Sequence, residues 1–315
     1  MFGIARWDQL ILTYFLISAV LVSQPITVLA KSPDIDFNLL YRAAQLSNQA
    51  YDGKSKIIAD LKGKSASVAT PGTADVQYFI GYNDKQKLQG ISVRGTANDK
   101  NWSLNKDTEI VRDKKAGILM HRGFRTAART IYQDVKSRLK PGYRTYITGH
   151  SLGGAIAAIL GIYLRKDGVK IAGIYTFGQP KFTDAAGAKT YENLPLLRAV
   201  YQNDAVALLP ENDGQGNKSF AHIGAAVNLL KGPYYAYAPA AQTLQFSQGS
   251  FGKFISQVSL PDHKMKWYLQ NLRDKLKGVK RVSFKDREQF IVRHKYGSGV
   301  DTAPVKRQYN FNHHN

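Results

Sequence analysis

The run Tyr143-Arg144-Thr145-Tyr146-Ile147-Thr148-Gly149-His150-Ser151-Leu152-Gly153, which continues into an apolar stretch ending at Leu164, decides the fold. Arg144 to Thr148 predicts a strand, and Leu152 to Leu164 predicts a helix apolar on so many sides that it must be buried. Between them, Gly149-His150-Ser151-Leu152-Gly153 has the G-x-S-x-G spacing of a sharp strand-to-helix turn. Glycines are needed there because a side chain at either end would clash with the turn. Such a turn lifts the Ser151 hydroxyl clear of the sheet. The helix behind it offers unpaired N–H groups and a positive dipole end toward a developing negative charge. Ser151 is therefore a candidate nucleophile.

Working outward, strands and helices alternate. Phe37 to Ala50 places Leu39, Leu40, Ala43, Leu46 and Ala50 at helical spacing and stops at Asp52-Gly53. Val76 to Tyr82 and Lys87 to Arg94 predict an antiparallel hairpin around Asn83-Asp84. Phe124 to Leu139 predicts a helix closed by Pro141-Gly142, and Val169 to Phe177 and Leu196 to Gln202 predict buried strands. This alternation implies a mainly parallel central sheet with helices on both faces, the α/β-hydrolase pattern once the serine turn is included. Gly232 to Gly252, rich in Tyr, Ala, Gln and Gly, is expected to be irregular, and no internal repeat is present.

A serine hydroxyl is a weak nucleophile at neutral pH and needs a base oriented by a carboxylate. In this type of fold the partners follow the serine as acid, then histidine. Asp204 comes directly after the strand Leu196 to Gln202, at the sheet end where ligands gather, and is the expected acid. Asp184 is the fallback. The base is expected among His222, His263, His294, His313 and His314, of which the last two stand at the terminus. His263 opens a helix carrying Met265, Trp267, Tyr268 and Leu269, and His222 is its rival. His121 and His150 precede Asp204, fail the order and are expected to be structural.

Composition narrows the classes further. The 315 residues contain no cysteine, which excludes disulfides, thiol nucleophiles and thiolate metal sites. Arg6, an apolar stretch from Leu10 to Val22 and Val28-Leu29-Ala30 before Lys31 form the pattern of a signal peptide cleaved after Ala30. That stretch is short of the roughly 20 residues a membrane-spanning helix needs. The expected organisation is a signal peptide at 1–30, a hydrolase domain at 31–277 and a basic extension at 278–315. The protein would then be exported, as a secreted or periplasmic protein. The formal charge of +21 survives removal of residues 1–30, which contain one Arg and one Asp. Such a field favours anionic partners, including acidic membrane surfaces. Zinc-finger spacing, RNA-recognition strand motifs and basic heptads are absent, so nucleic acid is not an expected partner.

Taken together, the motifs resemble the fungal-type, or class 3, lipase family from about Tyr41 to Leu269. The matching pieces are Val93-Arg94-Gly95-Thr96, Asn101-Trp102, His121-Arg122-Gly123-Phe124, Gly149 to Gly154, Thr176-Phe177-Gly178-Gln179-Pro180, Asn203-Asp204 with Leu209-Pro210, and Asp262-His263. The resemblance implies a triad of Ser151, Asp204 and His263, with His222 at a structural position. It implies an oxyanion hole of Thr96 and the Leu152 N–H, and a lid over the site carrying Trp102 and Leu104. It further implies a lipid-ester hydrolase that needs no metal or organic cofactor. Phospholipase A1 or small-ester esterase activity is the alternative within that chemistry, and a non-catalytic surface-binding protein is a third. Having no disulfides, the sequence looks like an exported bacterial branch. Its lid segment, Ala97 to Asn105, has only Ala97, Trp102 and Leu104 as apolar residues, fewer than strong interfacial activation requires.

Overall fold

The computed structural model describes residues 34–61, 66–97, 103, 105–210, 219–247 and 259–291. The segment 1–30 expected as a signal peptide, the lid residues Trp102 and Leu104, and His294, His313 and His314 lie outside the described residues. The strands are β1 (Ala66–Ala69), β2 (Tyr78–Asn83), β3 (Leu88–Val93), β4 (Ile110–Asp113), β5 (Ile118–His121), β6 (Arg144–His150), β7 (Ile171–Phe177), β8 (Leu196–Tyr201), β9 (Ala225–Leu229), β10 (Tyr234–Ala238) and β11 (Lys280–Val282). The helices are α1 (Phe37–Gln49), α2 (Lys54–Asp60), α3 (Arg122–Val135), α4 (Leu152–Lys166), α5 (Ala185–Thr190), α6 (Ala240–Ser247) and α7 (Met265–Lys275).

Among the described residues nine strands form one sheet in the order β1-β2-β3-β6-β7-β8-β9-β10-β11. The run from β3 to β9 is parallel. The β2–β3 hairpin expected from the sequence is antiparallel, with Ile80 opposite Ile91. β4 and β5 make a separate antiparallel pair.

Helices cover both faces because each strand of the parallel run is apolar on both sides. On one face Ile131 and Val135 of α3 and Ile156 and Ile159 of α4 pack with Ile91, Ile147 and Ile174 of the sheet. Every residue of α4 from Leu152 to Leu164 is buried, as its unbroken apolar sequence requires. On the other face Leu40 and Ala44 of α1 and Tyr268 and Leu272 of α7 pack on Phe177, Ala199 and Val227. A fully buried side chain of this size contributes about 2 kcal/mol before entropy is counted. α1 starts at Asp36, whose carboxylate accepts the Leu39 N–H at 2.9 Å. The helix after β5 ends sooner than expected, at Val135, and Lys136–Arg138 continues it as a 3₁₀ turn.

The structure corrects the expectation for Gly232 to Gly252. Tyr234 to Ala238 is a strand antiparallel to β9, with Tyr235 opposite Leu229 and Tyr237 opposite Val227, and α6 follows it. The alternation Tyr-Tyr-Ala-Tyr-Ala buries Ala236 and Ala238, and alanine carries too little hydrophobic signal to reveal a strand. Residues just past Gly278 also belong to the sheet. Lys280–Val282 pair parallel with Tyr234–Ala236, the Phe290 ring lies 4.4 Å from that of Tyr234, and the Phe290 carbonyl accepts the Lys231 N–H.

Candidate active site

β6, β7 and β8 are neighbours in the sheet, so their carboxyl ends stand side by side. Ser151 follows β6 and Asp204 follows β8, two strand spacings away, or about 10 Å. One imidazole can bridge such a gap. His263 does so from a 3₁₀ turn at Pro261–His263, immediately before α7.

The turn at Ser151 is held in an unusual conformation, with φ 58° and ψ −132°. A non-glycine residue adopts a positive φ only where its surroundings impose it. Here the Ser151 N–H is bonded to the Phe177 carbonyl at 2.9 Å, which ties the turn to the end of β7. The flanking glycines are required by close approach. A Cβ on Gly149 would stand 2.3 Å from the Gly153 carbonyl oxygen, and one on Gly153 would stand 2.3 Å from that of Val93.

Ser151 Oγ lies 2.8 Å from His263 Nε2, and His263 Nδ1 lies 2.8 and 3.0 Å from the Asp204 carboxylate oxygens. Asp204 is buried, and burial alone would raise its pKa. The charge and hydrogen bond of His263 and the hydrogen bond of Tyr268 outweigh burial and hold it below the usual carboxylate range. An ionised Asp204 can only accept, so His263 Nδ1 carries the proton and Nε2 is left to accept from the Ser151 hydroxyl. That is the tautomer a general base needs.

The carboxylate is aimed by two further donors, the Val206 N–H at 2.9 Å and the Tyr268 hydroxyl at 2.6 Å. Burial, followed by the charge of Asp204, raises the Tyr268 pKa well above its ordinary value, so the phenol keeps its proton. The loop bearing the base is tied to the acid: the Ser259 N–H bonds the Asn203 carbonyl at 2.9 Å and the Ala205 N–H bonds that of Ser259 at 3.3 Å. Gly178, at φ +55°, makes room for the meeting. A Cβ there would stand 2.5 Å from Asp204 Oδ2 and 2.8 Å from His263 Nδ1.

His150 supports the base from below. Its Nε2 is 2.8 Å from the backbone carbonyl of His263 and its Nδ1 is 2.8 Å from the Tyr51 hydroxyl. A carbonyl only accepts, so Nε2–H donates to it and the Tyr51 hydroxyl donates to Nδ1. Burial and then the positive charge of His263 lower the His150 pKa to about 3, which keeps this ring neutral. The two imidazoles stack with centroids 4.5 Å apart. The order rule marked His150 as structural, but nothing in the sequence links it to Tyr51 or to the base, 113 residues away.

The other candidates stand elsewhere. His222 is buried, its Nε2–H donates to the Ala207 carbonyl at 2.7 Å, and burial holds its pKa well below the ordinary value. It therefore fastens the turn that follows Asp204. Asp184 caps α5 through the Gly187 N–H. His121 caps α3 and stacks on Phe124 at 3.7 Å, and burial lowers its pKa to about 4.

Ser151 and His263 open onto a cavity of 650 Å³ whose wall includes Thr96 and Leu152. Phe124, Val206, Leu209 and Leu260 make much of the wall apolar. Size and lining both suit a small-molecule site. The Asn105 side-chain amide donates to Thr96 Oγ1 at 3.0 Å, which leaves the threonine's own proton available to another acceptor. Leu152 opens α4, where the first N–H groups have no carbonyl one turn back to bond.

The parallel sheet covered by helices, with its serine turn at the end of a central strand, is the α/β-hydrolase fold. Solved structures of fungal lipases share it. A fungal lipase–inhibitor complex matches with a TM-score of 0.60 and 22% identity, over 72% of this chain and 92% of that one. Residues 90–214 match the model of the family described as Lipase (class 3). A secreted mono- and diacylglycerol lipase of Fusarium solani is 31% identical over 141 residues, 42% of each chain. A lipase of Rhizomucor miehei is 28% identical over 149 residues, 43% of this chain and 41% of its own. These matches support the class 3 lipase family, and the chain spans less than half the length of these two curated relatives.

Proposed function

We propose that this chain is a serine carboxylic-ester hydrolase acting on lipid esters. The observation that carries the proposal is the continuous hydrogen-bond line from Ser151 through His263 to Asp204, opening onto a largely apolar cavity. In the first half-reaction His263 Nε2 takes the Ser151 proton as Oγ attacks the ester carbonyl carbon. Asp204 stabilises the imidazolium that forms. The tetrahedral oxyanion accepts from the Thr96 hydroxyl and the Leu152 N–H, each donor contributing about 3 kcal/mol in comparable sites. The carbon–oxygen bond then breaks, and His263 returns the proton to the departing alcohol. Water repeats the sequence on the acyl-enzyme, releasing the carboxylic acid and restoring the serine hydroxyl.

The segment carrying Trp102 and Leu104 serves as a lid in this proposal. Residues 1–30 direct export of a mature chain whose hydrolase domain starts at 31, and the absence of cysteine favours a bacterial exported protein. The name of the Fusarium solani relative, a secreted lipase, supports export. The net charge favours peripheral binding to anionic membrane surfaces. A non-catalytic binding role would leave unexplained both the positive φ of Ser151 and a buried carboxylate spent on orienting one histidine. The test is turnover on a panel of p-nitrophenyl esters and glycerides by the natural protein and by Ser151→Ala. The variant is expected to lose at least about 10³-fold in kcat while staying folded, and retained activity would refute the mechanism.

A further inference from the structure

Thr176 of β7, Arg198 of β8 and Ala226 of β9 stand in register on three neighbouring strands. The next residue on each strand, Phe177, Ala199 and Val227, packs toward α1 and α7. Side chains alternate along a strand, so Thr176, Arg198 and Ala226 face the opposite layer. Arg198 is thereby directed into the interior, and only 4% of it is exposed.

A charged side chain in such a place ordinarily has a partner that neutralises it. Arg198 forms no ion pair or hydrogen bond with a side chain among the described residues, and its Nε–H meets no acceptor. Burial pushes its pKa down to about 9, still above neutral pH, so the guanidinium stays charged. Other buried or half-buried cations are provided for. Lys275 Nζ donates to the Leu230 and Gly232 carbonyls, both at 3.0 Å, and to Asn271 Oδ1, while Arg125 Nε donates to the Asp113 carboxylate at 2.9 Å.

The surroundings of Arg198 add to the deficit. Burial, then the charge of Arg198 and further that of Lys181, which is itself buried, hold His222 well below its ordinary pKa. Gln179 is buried, its Oε1 accepts from Thr176 Oγ1 at 2.8 Å, and its Nε2 meets no acceptor. Adjacent strands lie about 4.8 Å apart, so Ala226 is the immediate neighbour of Arg198, and its side chain ends at a methyl. N–H groups and positive charge therefore exceed acceptors in this part of the interior. A water molecule would satisfy the amide but leave the guanidinium charge uncompensated, which is a costly state for a buried ion.

We infer that Arg198 is the centre of an internal anion site whose ligand is a single small inorganic anion such as chloride, with the Gln179 amide as a second donor. Near-complete burial limits the ligand to this size. The site is separate from the cavity onto which Ser151 opens, whose wall includes neither Arg198 nor Gln179. Its role is structural, since neutralising Arg198 steadies β8, the strand that leads to Asp204.

The experiment follows thermal unfolding of the full protein while chloride replaces gluconate at constant ionic strength, and locates bromide by anomalous diffraction from bromide-soaked crystals. A ligand bound only by the folded state raises Tm with the logarithm of its concentration, by about 5 °C at a hundredfold excess over Kd. The natural protein should show this rise and a bromide peak in contact with the Arg198 guanidinium. Ala226→Glu places a carboxylate beside Arg198, and this variant should lose both the chloride dependence and the peak while being at least as stable in gluconate as the natural protein. Arg198→Met should also lose both. An equal Tm in chloride and gluconate, with no bromide at Arg198, overturns the inference. A chloride dependence that Ala226→Glu retains in full assigns the effect to the basic surface and overturns it too. Should the variants fail to fold, the bromide map of the natural protein decides. None of these outcomes bears on whether Ser151 cleaves esters.

Discussion

Acidification should destabilise this protein well before its carboxylates protonate, through histidines the fold keeps neutral. His121, His150 and His222 are buried. Burial, which penalises the imidazolium form, is the main cause lowering them: His121 to about 4, His150 to about 3, and His222 well below its ordinary value. In the unfolded chain each titrates near 6.5. Between that pH and the folded pKa the unfolded state binds more protons, so stability falls as pH drops through about 6.5. From pH 7 to pH 5 a histidine that stays neutral in the fold costs about 2 kcal/mol. His121 and His150 together therefore remove about 4 kcal/mol, and His222 acts in the same direction. Asp204 has the opposite sign and another window. Its lowered pKa contributes stability above the unfolded value near 3.9 and is lost only below it, outside this range. Since a domain typically has about 5 to 15 kcal/mol in all, the loss is a large fraction of the total. Urea unfolding followed by circular dichroism at pH 7, 6 and 5 gives the free energies directly. A conservative His222→Asn variant should show a shallower fall with pH than the natural protein. Equal unfolding free energies at pH 5 and pH 7 would refute the reasoning.

Three further outcomes follow from the site. Gly178→Ala should cut kcat by at least about 10²-fold, because its methyl displaces Asp204 or His263 from their contact, and steady-state kinetics on a soluble ester measures it. Tyr268→Phe removes a donor from the ionised Asp204, worth about 2 kcal/mol; kcat/KM should fall on the order of tenfold, and the acid limb of the pH–rate profile should move to higher pH as the carboxylate loses that support. His263→Ala should abolish fluorophosphonate labelling, whereas His222→Ala should lower thermal stability and reduce labelling only in part; the reverse pattern would transfer the role of base to His222.

Much of this architecture could be read from the sequence because its signals are local. The strand, the serine turn and the helix at 143–164 are contiguous, and each has its own periodicity and turn chemistry. Asp204 and His263 could be proposed because chain order and the motifs around them restrict the choice, and the structure brings both into hydrogen-bond contact with each other and His263 with Ser151. What escaped the sequence acts across space. Tyr51 reaches His150 across 99 positions and Tyr268 reaches Asp204 across 64, and no pattern in either neighbourhood announces it. Gly178 was visible as part of a motif, but its reason, the space that Asp204 and His263 need, is a three-dimensional fact. At the sheet edge, β10 is disguised by alanine and β11 is three residues of Lys-Arg-Val. Such a strand is specified by its partner rather than by its own sequence. The tail beginning at residue 278 therefore contributes to the fold through residue 290, and truncation at Gly278 would remove an edge strand along with positive charge.

The central claim is that Ser151 is an activated nucleophile, and its most direct measurement is the site and rate of covalent reaction with a fluorophosphonate, read by mass spectrometry of the digested protein. Only a serine hydroxyl whose proton can be taken by a correctly oriented base reacts quickly with such a reagent. The account predicts rapid, stoichiometric modification at Ser151, abolished in Ser151→Ala and in His263→Ala. Slow or absent modification of Ser151 in the folded natural protein, or rapid modification at another residue, would contradict it.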